Sequence, residues 1–514
     1  MSSMLRSTGI IALSTLASRI LGFVREMLFA AFFGATGSTD AFFVAFRIPN
    51  LLRRLVAEGA LTVSFIPVYS DYLINRGEEE ALQLARRTLT LLMIVIAILV
   101  LAGEVFSPWI VRLFAIGFTS STDITLAVEL NRILFPYLVF VGFVAFSMGV
   151  LNSHNRFFAP AFSPVLLNIG IITGIAFFSH FFEKPLYGVA LGVLAGGVLQ
   201  VFMQIPYLVK TGFRMKVVFD IKHPGIRRIF RLMAPAVFGI AVYQVNILMS
   251  TILASMLPEG SISFLYYTDR LTEMVLGVFI VSIGNVILPH MSRITAQKDM
   301  AALGRMYRSA MRAALFLAVP AAIALFAIGL PVISVIFLRG AFTPVDAIQT
   351  NSALSFACFG IIPVALLRIT TPTFYSLEDT KTPVRAAAVA FVVNITLGYI
   401  LMNTPLLHAG LALANVISVT IQGGILLVVL RNRMGKIFNR EFFLALAKVT
   451  GVSILMGAAV WKGAEQLNWL EAGIGPRIGT LSLLVLGGLV VYGSGTLLLR
   501  VEEARELFHR IVKR

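Results

Sequence analysis

The 514-residue chain has one cysteine, Cys358, which excludes an internal disulfide. That thiol lies in an apolar run and reads as a packing residue. Its six histidines are scattered, none paired at metal-ligand spacing, so no metal site is expected. A Walker-type phosphate loop is missing, which excludes ATP hydrolysis by this chain, and no cofactor is expected. Charged residues make up only 13% of the chain. The loops are too short to fold catalytic domains, and no acidic pair stands in a long loop, as a membrane glycosyltransferase would need. No enzyme is expected. No small-residue cleavage site follows Met1–Thr8, so no cleavable leader is expected either.

What is abundant is apolar surface. Hydrophobic residues reach 58% and the mean hydropathy is +0.90. About fourteen windows are long enough to cross a bilayer core, which takes roughly 20 apolar residues. The first two lie near 4–33 and 41–70, the seventh and eighth near 230–256 and 262–290, and the last two near 443–461 and 478–499. The fold class is therefore an all-α polytopic membrane protein. A net charge of +17 would suggest nucleic acid in a soluble chain. Here the basic residues fall in alternate loops, and such loops face the cytoplasm. Both termini are then expected on the cytoplasmic side of a bacterial cytoplasmic membrane, with no nucleic-acid partner.

An internal repeat organises the chain. Gly37-Ser38 and Arg47 recur as Gly260-Ser261 and Arg270; Pro67 recurs as Pro289; Ser153 and Pro160 recur as Ser376 and Pro383. The offset is 222 or 223 residues throughout. It covers six spans, so two six-helix lobes of equal orientation are expected, 1–222 and 223–440, followed by two extra helices in 441–514. Lobes related by an axis along the membrane normal are a transporter architecture, with substrate at the interface.

The charges inside spans carry the functional reading. Ser18–Glu58 holds Arg19, Arg25, Glu26, Asp40, Arg47, Arg53, Arg54 and Glu58. Each ionisable side chain at membrane depth costs about 2.5–3.5 kcal/mol on insertion scales. Arg47, Asn50, Arg54 and Glu58 share one helix face, as do Arg19, Gly22 and Glu26, with Arg25 turned about 100° away. Tyr266, Arg270, Glu273 and Gly277 form a third stripe, with Asp269 beside it. One account is internal ion pairing of Arg19 with Glu26, Arg54 with Glu58 and Arg270 with Glu273. The other is a cationic cavity for an anionic substrate, because guanidinium groups fork onto phosphate. Arg25, Arg47 and one of Arg53 and Arg54 lack an obvious local carboxylate and favour the second. Arg368 and Arg132 are further isolated basic residues. Asp40 either caps its helix or gates the outer mouth. Pro49 lies in the second span and Pro67 near its end; both are helix-breaking signals that a membrane helix tolerates where neighbours re-satisfy the backbone.

Long motifs, among them SRILGFVRE, FGATGSTDAFFVAFRIPNLLRRLVAEGALTVSFIPVY, LNSHNRFFAPAFSPVLLNI, LYYTDRLTEMVLGVF and SLEDTKTPVRAA, closely resemble the bacterial lipid II flippase family, MurJ or MviN. That family belongs to the multidrug/oligosaccharidyl-lipid/polysaccharide exporter superfamily. The resemblance implies fourteen helices around a V-shaped cavity, with the last pair forming a groove for a lipid tail. It implies transport of undecaprenyl-diphosphate-linked disaccharide-pentapeptide, lipid II, to the outer leaflet for peptidoglycan synthesis, cell wall biogenesis and cell shape. Membrane lipids and the cell-wall synthesis machinery are the other partners it suggests. Family residues that matter fall here on Arg19, Arg25, Arg53 and Arg270, with Asp40 and Glu273 as further candidates. Glu26 stands where many members have Asp. Asn246 and Asn394 stand where some members carry sodium-binding carboxylates, so no sodium site is expected. Membrane potential is expected to bias the cycle, at about 2.3 kcal/mol per charge per 100 mV. Rival readings are a drug or glycan exporter on the same fold, a glycosyltransferase or polymerase, and a scaffold. A cationic-drug exporter is expected to line its cavity with carboxylates rather than arginines.

Overall fold

A computed structural model describes residues 2–55, 61–435 and 437–512; Glu58 lies outside the described residues. Among the described residues there are nineteen α-helices and no strand. The first compact unit, Met1–Gly260, holds α1 (Ser2–Phe33), α2 (Gly37–Arg53), α3 (Thr62–Asn75), α4 (Glu78–Phe114), α5 (Ser121–Leu134), α6 (Tyr137–Ser153), α7 (Phe158–Ala176), α8 (Leu186–Val209) and α9 (Pro224–Ser255). The second, Ser261–Arg514, holds α10 (Ser261–Ala296), α11 (Met300–Ala327), α12 (Gly329–Ile336), α13 (Pro344–Ala357), α14 (Ile361–Ser376), α15 (Lys381–Met402), α16 (Leu407–Met434), α17 (Arg440–Ala464), α18 (Ile474–Leu498) and α19 (Glu502–Val512).

Ten segments of the described residues are long and apolar enough to cross a membrane. The other four of the fourteen expected spans fall on α1, on α2 with α3, on α9 and on α10, where the intramembrane charges or undescribed residues lie. Both prolines of the second span are tolerated within helices. Pro49 and Pro67 sit inside α2 and α3, and the described helices end and begin at Arg53 and Thr62. α1 runs unbroken through Gly22 and stops at Gly34, whose φ of +62° a glycine adopts without strain.

The 222–224 residue interval reappears in the helix boundaries. α1 and α9, α4 and α11 with α12, α5 and α13, and α7 and α15 all start that far apart. It reaches the caps as well. α6 and α14 both end with a residue in the left-handed region, Asn155 (φ +56°) and Glu378 (φ +59°). In both, the next N–H reaches back to a helix carbonyl, Arg156 to Leu151 at 2.8 Å and Asp379 to Phe374 at 2.9 Å. This is the Schellman pattern, which satisfies carbonyls a helix end leaves unpaired.

In the first unit α1 packs on α7, α2 on α5, and α7 on α8. The α7–α8 contact is backbone to backbone: a Cβ on Gly170 would lie 2.5 Å from the Cα of Gly196. Small residues allow such an approach between membrane helices. By repeat α9 is the counterpart of α1, yet it packs on α3 and α4 and is part of the first unit. In the second unit α17 lies on α11 and pairs with α18, and Arg312 of α11 holds α19 through Glu502 at 3.0 Å and Glu503 at 3.2 Å.

Candidate functional site

In the first unit the site is built where α1 meets α7. Arg25 donates from one terminal nitrogen to Asn168 Oδ1 at 3.0 Å and from the other to the Glu26 carboxylate. Asn168 in turn donates to the Ser18 carbonyl at 3.0 Å, so one buried amide ties two points of α1 to α7. Gly22 lies between them, beside the amide. Glu26 is only 5% exposed. A carboxylate so buried is expensive unless paired, and Arg25 supplies the counter-charge. The expected Arg19–Glu26 pair is thus replaced by Arg25–Glu26, and Arg25 does have a local carboxylate. Arg19 itself is exposed.

On α2, the N-cap is Thr36, whose hydroxyl accepts from the Thr39 N–H at 3.3 Å. Asp40 is therefore not the cap. It is 3% exposed and accepts from the Gly260 N–H at 2.8 Å, fastening the start of α2 to the end of this unit. Arg47 donates to the Thr251 hydroxyl of α9, and Arg53 donates to Asn50 Oδ1 at 2.7 Å. Arg54 is half-buried at the α2 C-cap.

In the second unit Arg270 donates to Glu273 at 2.7 Å and stands 4.7 Å from the Tyr266 ring centroid. The stripe read from the spacing is thus a contact chain along one helix, an ion pair at i+3 and a cation–π contact at i−4. Asp269 and Glu273 are exposed, and so is Arg368 on α14.

Over residues 29–472 the chain matches the model of the family described as lipid II flippase MurJ. The chain belongs to this family. It is 36% identical to the probable lipid II flippase MurJ of Vibrio cholerae, over 97% of this chain and 96% of that protein. It is 36% identical to that of Haemophilus influenzae, over 95% and 98%. Among solved structures, a lipid II flippase MurJ in an inward closed conformation is similar over 98% of this chain and 99% of its own, with TM-score 0.79 and 28% identity. An inward-facing multidrug transporter of the MATE family, in the MOP superfamily, shares the fold at TM-score 0.71 and 16% identity, over 82% of this chain and 95% of its own. Members of this family are transporters, and the chain is a transporter rather than an enzyme.

Two members of the site escape a reading of charges alone. Asn168 is a lone amide in the apolar run PVLLNIGI, and that isolation is a usable signal. Thr251 has none, because hydroxyls are common in membrane helices and bond their own backbone. Thr251 does so too, donating to Ile247 at 2.9 Å while accepting from Arg47.

Proposed function

We propose that this chain is a lipid II flippase. It moves undecaprenyl-diphosphate-linked disaccharide-pentapeptide from the inner to the outer leaflet of the bacterial cytoplasmic membrane, by alternating access and without covalent chemistry. The observation that carries the reading is Arg25, a guanidinium held in place within α1 by a helix-bridging amide and neutralised by one carboxylate. A diphosphate carries more charge than that carboxylate and matches the planar fork, so it competes for Arg25. Arg270 offers the same exchange, with Glu273 giving way. Arg19 and Arg53 assist, and Arg47, Arg54 and Arg368 flank. Bound diphosphate neutralises the stripes and permits the change of access, while the lipid tail stays in the bilayer along α17 and α18. Charge moves with the cargo, so the membrane potential biases the cycle. Both termini face the cytoplasm.

The experiment measures lipid II in the outer leaflet of cells that depend on this protein, with a degradative probe acting only outside. Arg25→Ala and Arg270→Ala are compared with wild type at equal expression. Lost exposure, with precursor accumulating inside, is expected. Unchanged exposure assigns the arginines to structural ion pairing and removes the proposed site.

A further inference from the structure

Between α8 and α9 the chain is neither helical nor loose. Phe213 is buried, and residues 214–220 carry no regular secondary structure but are tied to α4. Arg86 donates to the Arg214 carbonyl at 3.2 Å, the Val218 N–H donates to the Thr90 hydroxyl at 3.0 Å, and Arg87 pairs with Asp220 at 3.2 Å. Val218 and Asp220 are half-buried, whereas Met215, Val217, Phe219 and Ile221 are exposed. Val217 is 87% exposed and Phe219 64%. A row of four large apolar side chains in the open marks an interaction surface.

Its level on α4 identifies the partner. The anchoring residues Arg86–Thr90 span about 6 Å of helix. On one side of them α4 carries Glu78, Glu79 and Glu80, and on the other its long apolar run begins at Leu91. The segment thus lies at the water–hydrocarbon border, on the side of the basic loops. Arg214, Lys216 and Lys222 are exposed within the same stretch, followed by Arg227 and Arg228 on α9. Apolar side chains interleaved with cations at that depth are the features of an interfacial anchor to anionic lipid. An open edge also suits a partner's strand, but that partner would have to accept a basic face at the membrane border.

We propose that residues 214–222 are a membrane-surface anchor. Met215, Val217, Phe219 and Ile221 insert among the upper acyl chains, and Arg214, Lys216 and Lys222 bind anionic headgroups. The inference is independent of the arginine stripes. To test it, Phe219→Cys is made in the full chain with Cys358→Ala and labelled with an environment-sensitive fluorophore. The protein is placed in vesicles of phosphatidylcholine alone or mixed with phosphatidylglycerol. A blue-shifted emission, quenched by headgroup-level spin labels several-fold more with phosphatidylglycerol, is expected. Lys216→Glu with Lys222→Glu is expected to remove the phosphatidylglycerol dependence while thermal stability is unchanged. Water-like emission in both vesicles overturns the anchor and leaves the edge to a protein strand. Emission that ignores phosphatidylglycerol overturns the headgroup recognition.

Discussion

The repeat carries Arg47 of α2 onto Arg270 of α10, yet the two arginines have different partners. The residue three positions on is Asn50 in one case and Glu273 in the other. With a carboxylate at i+3, Arg270 bonds along its own helix, to Glu273 at 2.7 Å. With an amide there, Asn50 accepts from Arg53, and Arg47 reaches across to Thr251 on α9. One change of a side chain from acid to amide thus turns a self-paired arginine into a clasp between helices. Under the proposed function, a diphosphate would replace a carboxylate partner more readily than it would undo a bond between helices.

The largest expected effect breaks that comparison directly. Arg270→Ala is expected to lower transport per folded molecule by about ten- to a hundredfold, since bonds to charged groups contribute about 1.5–3 kcal/mol and about 1.4 kcal/mol is tenfold. Arg47→Ala is expected to keep transport within about threefold while lowering thermal stability in detergent, because it removes a tie to α9 worth about 1–2 kcal/mol. Equal transport losses in the two variants, measured as outer-leaflet lipid II at matched protein levels, contradict the division of roles.

The carboxylates sharpen it next. Glu26 is buried, whereas the Glu273 side chain is 58% exposed. Glu26→Gln removes the Arg25–Glu26 ion pair, and a loss of about 3 kcal/mol is expected, at the low end for broken buried pairs because Asn168 remains. Glu273→Gln is expected to cost less than about 1 kcal/mol, as exposed pairs do. Chemical or thermal unfolding of the two variants, side by side, reads the difference. Asn168→Ala falls between them, at about 1–3 kcal/mol, and lowers transport as Arg25 loses its aim.

The charged stripes were legible in the sequence because ionisable residues stand out in apolar helices, and the repeat because its landmarks share one offset. Which partner each charge takes was not. A helical wheel sets Arg19 and Glu26 on one face and turns Arg25 away from them, but Arg25 pairs with the adjacent Glu26, and the packing of α1 on α7 brings Arg25 to Asn168, 143 residues away. That pairing depends on tertiary packing, which spacing along one helix does not encode. The prolines were legible too: a membrane helix tolerates them where neighbours re-satisfy the backbone, and Pro49 and Pro67 ride inside helices. The exposed apolar row before α9 was hidden by its own lysines and arginines, which made the segment read as one more basic loop.

The smallest effect compares the two repeats at their caps. Asn155 and Glu378 hold the same left-handed position in the same Schellman pattern, 223 residues apart. The left-handed region costs an ordinary L-residue about 1–2 kcal/mol, and asparagine least of the non-glycine residues. Glu378→Gly is therefore expected to raise stability by up to about 1 kcal/mol, and Asn155→Gly by less than about half of that. The neighbouring residue is fastened independently of the side chain at Glu378. Asp379 accepts from the Thr382 N–H at 2.9 Å and its hydroxyl at 2.6 Å, and pairs with Arg433 at 2.5 Å. Equal shifts in unfolding temperature for the two glycine variants would mean that side-chain identity at this cap has no bearing on its strain, and that the shared backbone bonds alone set it.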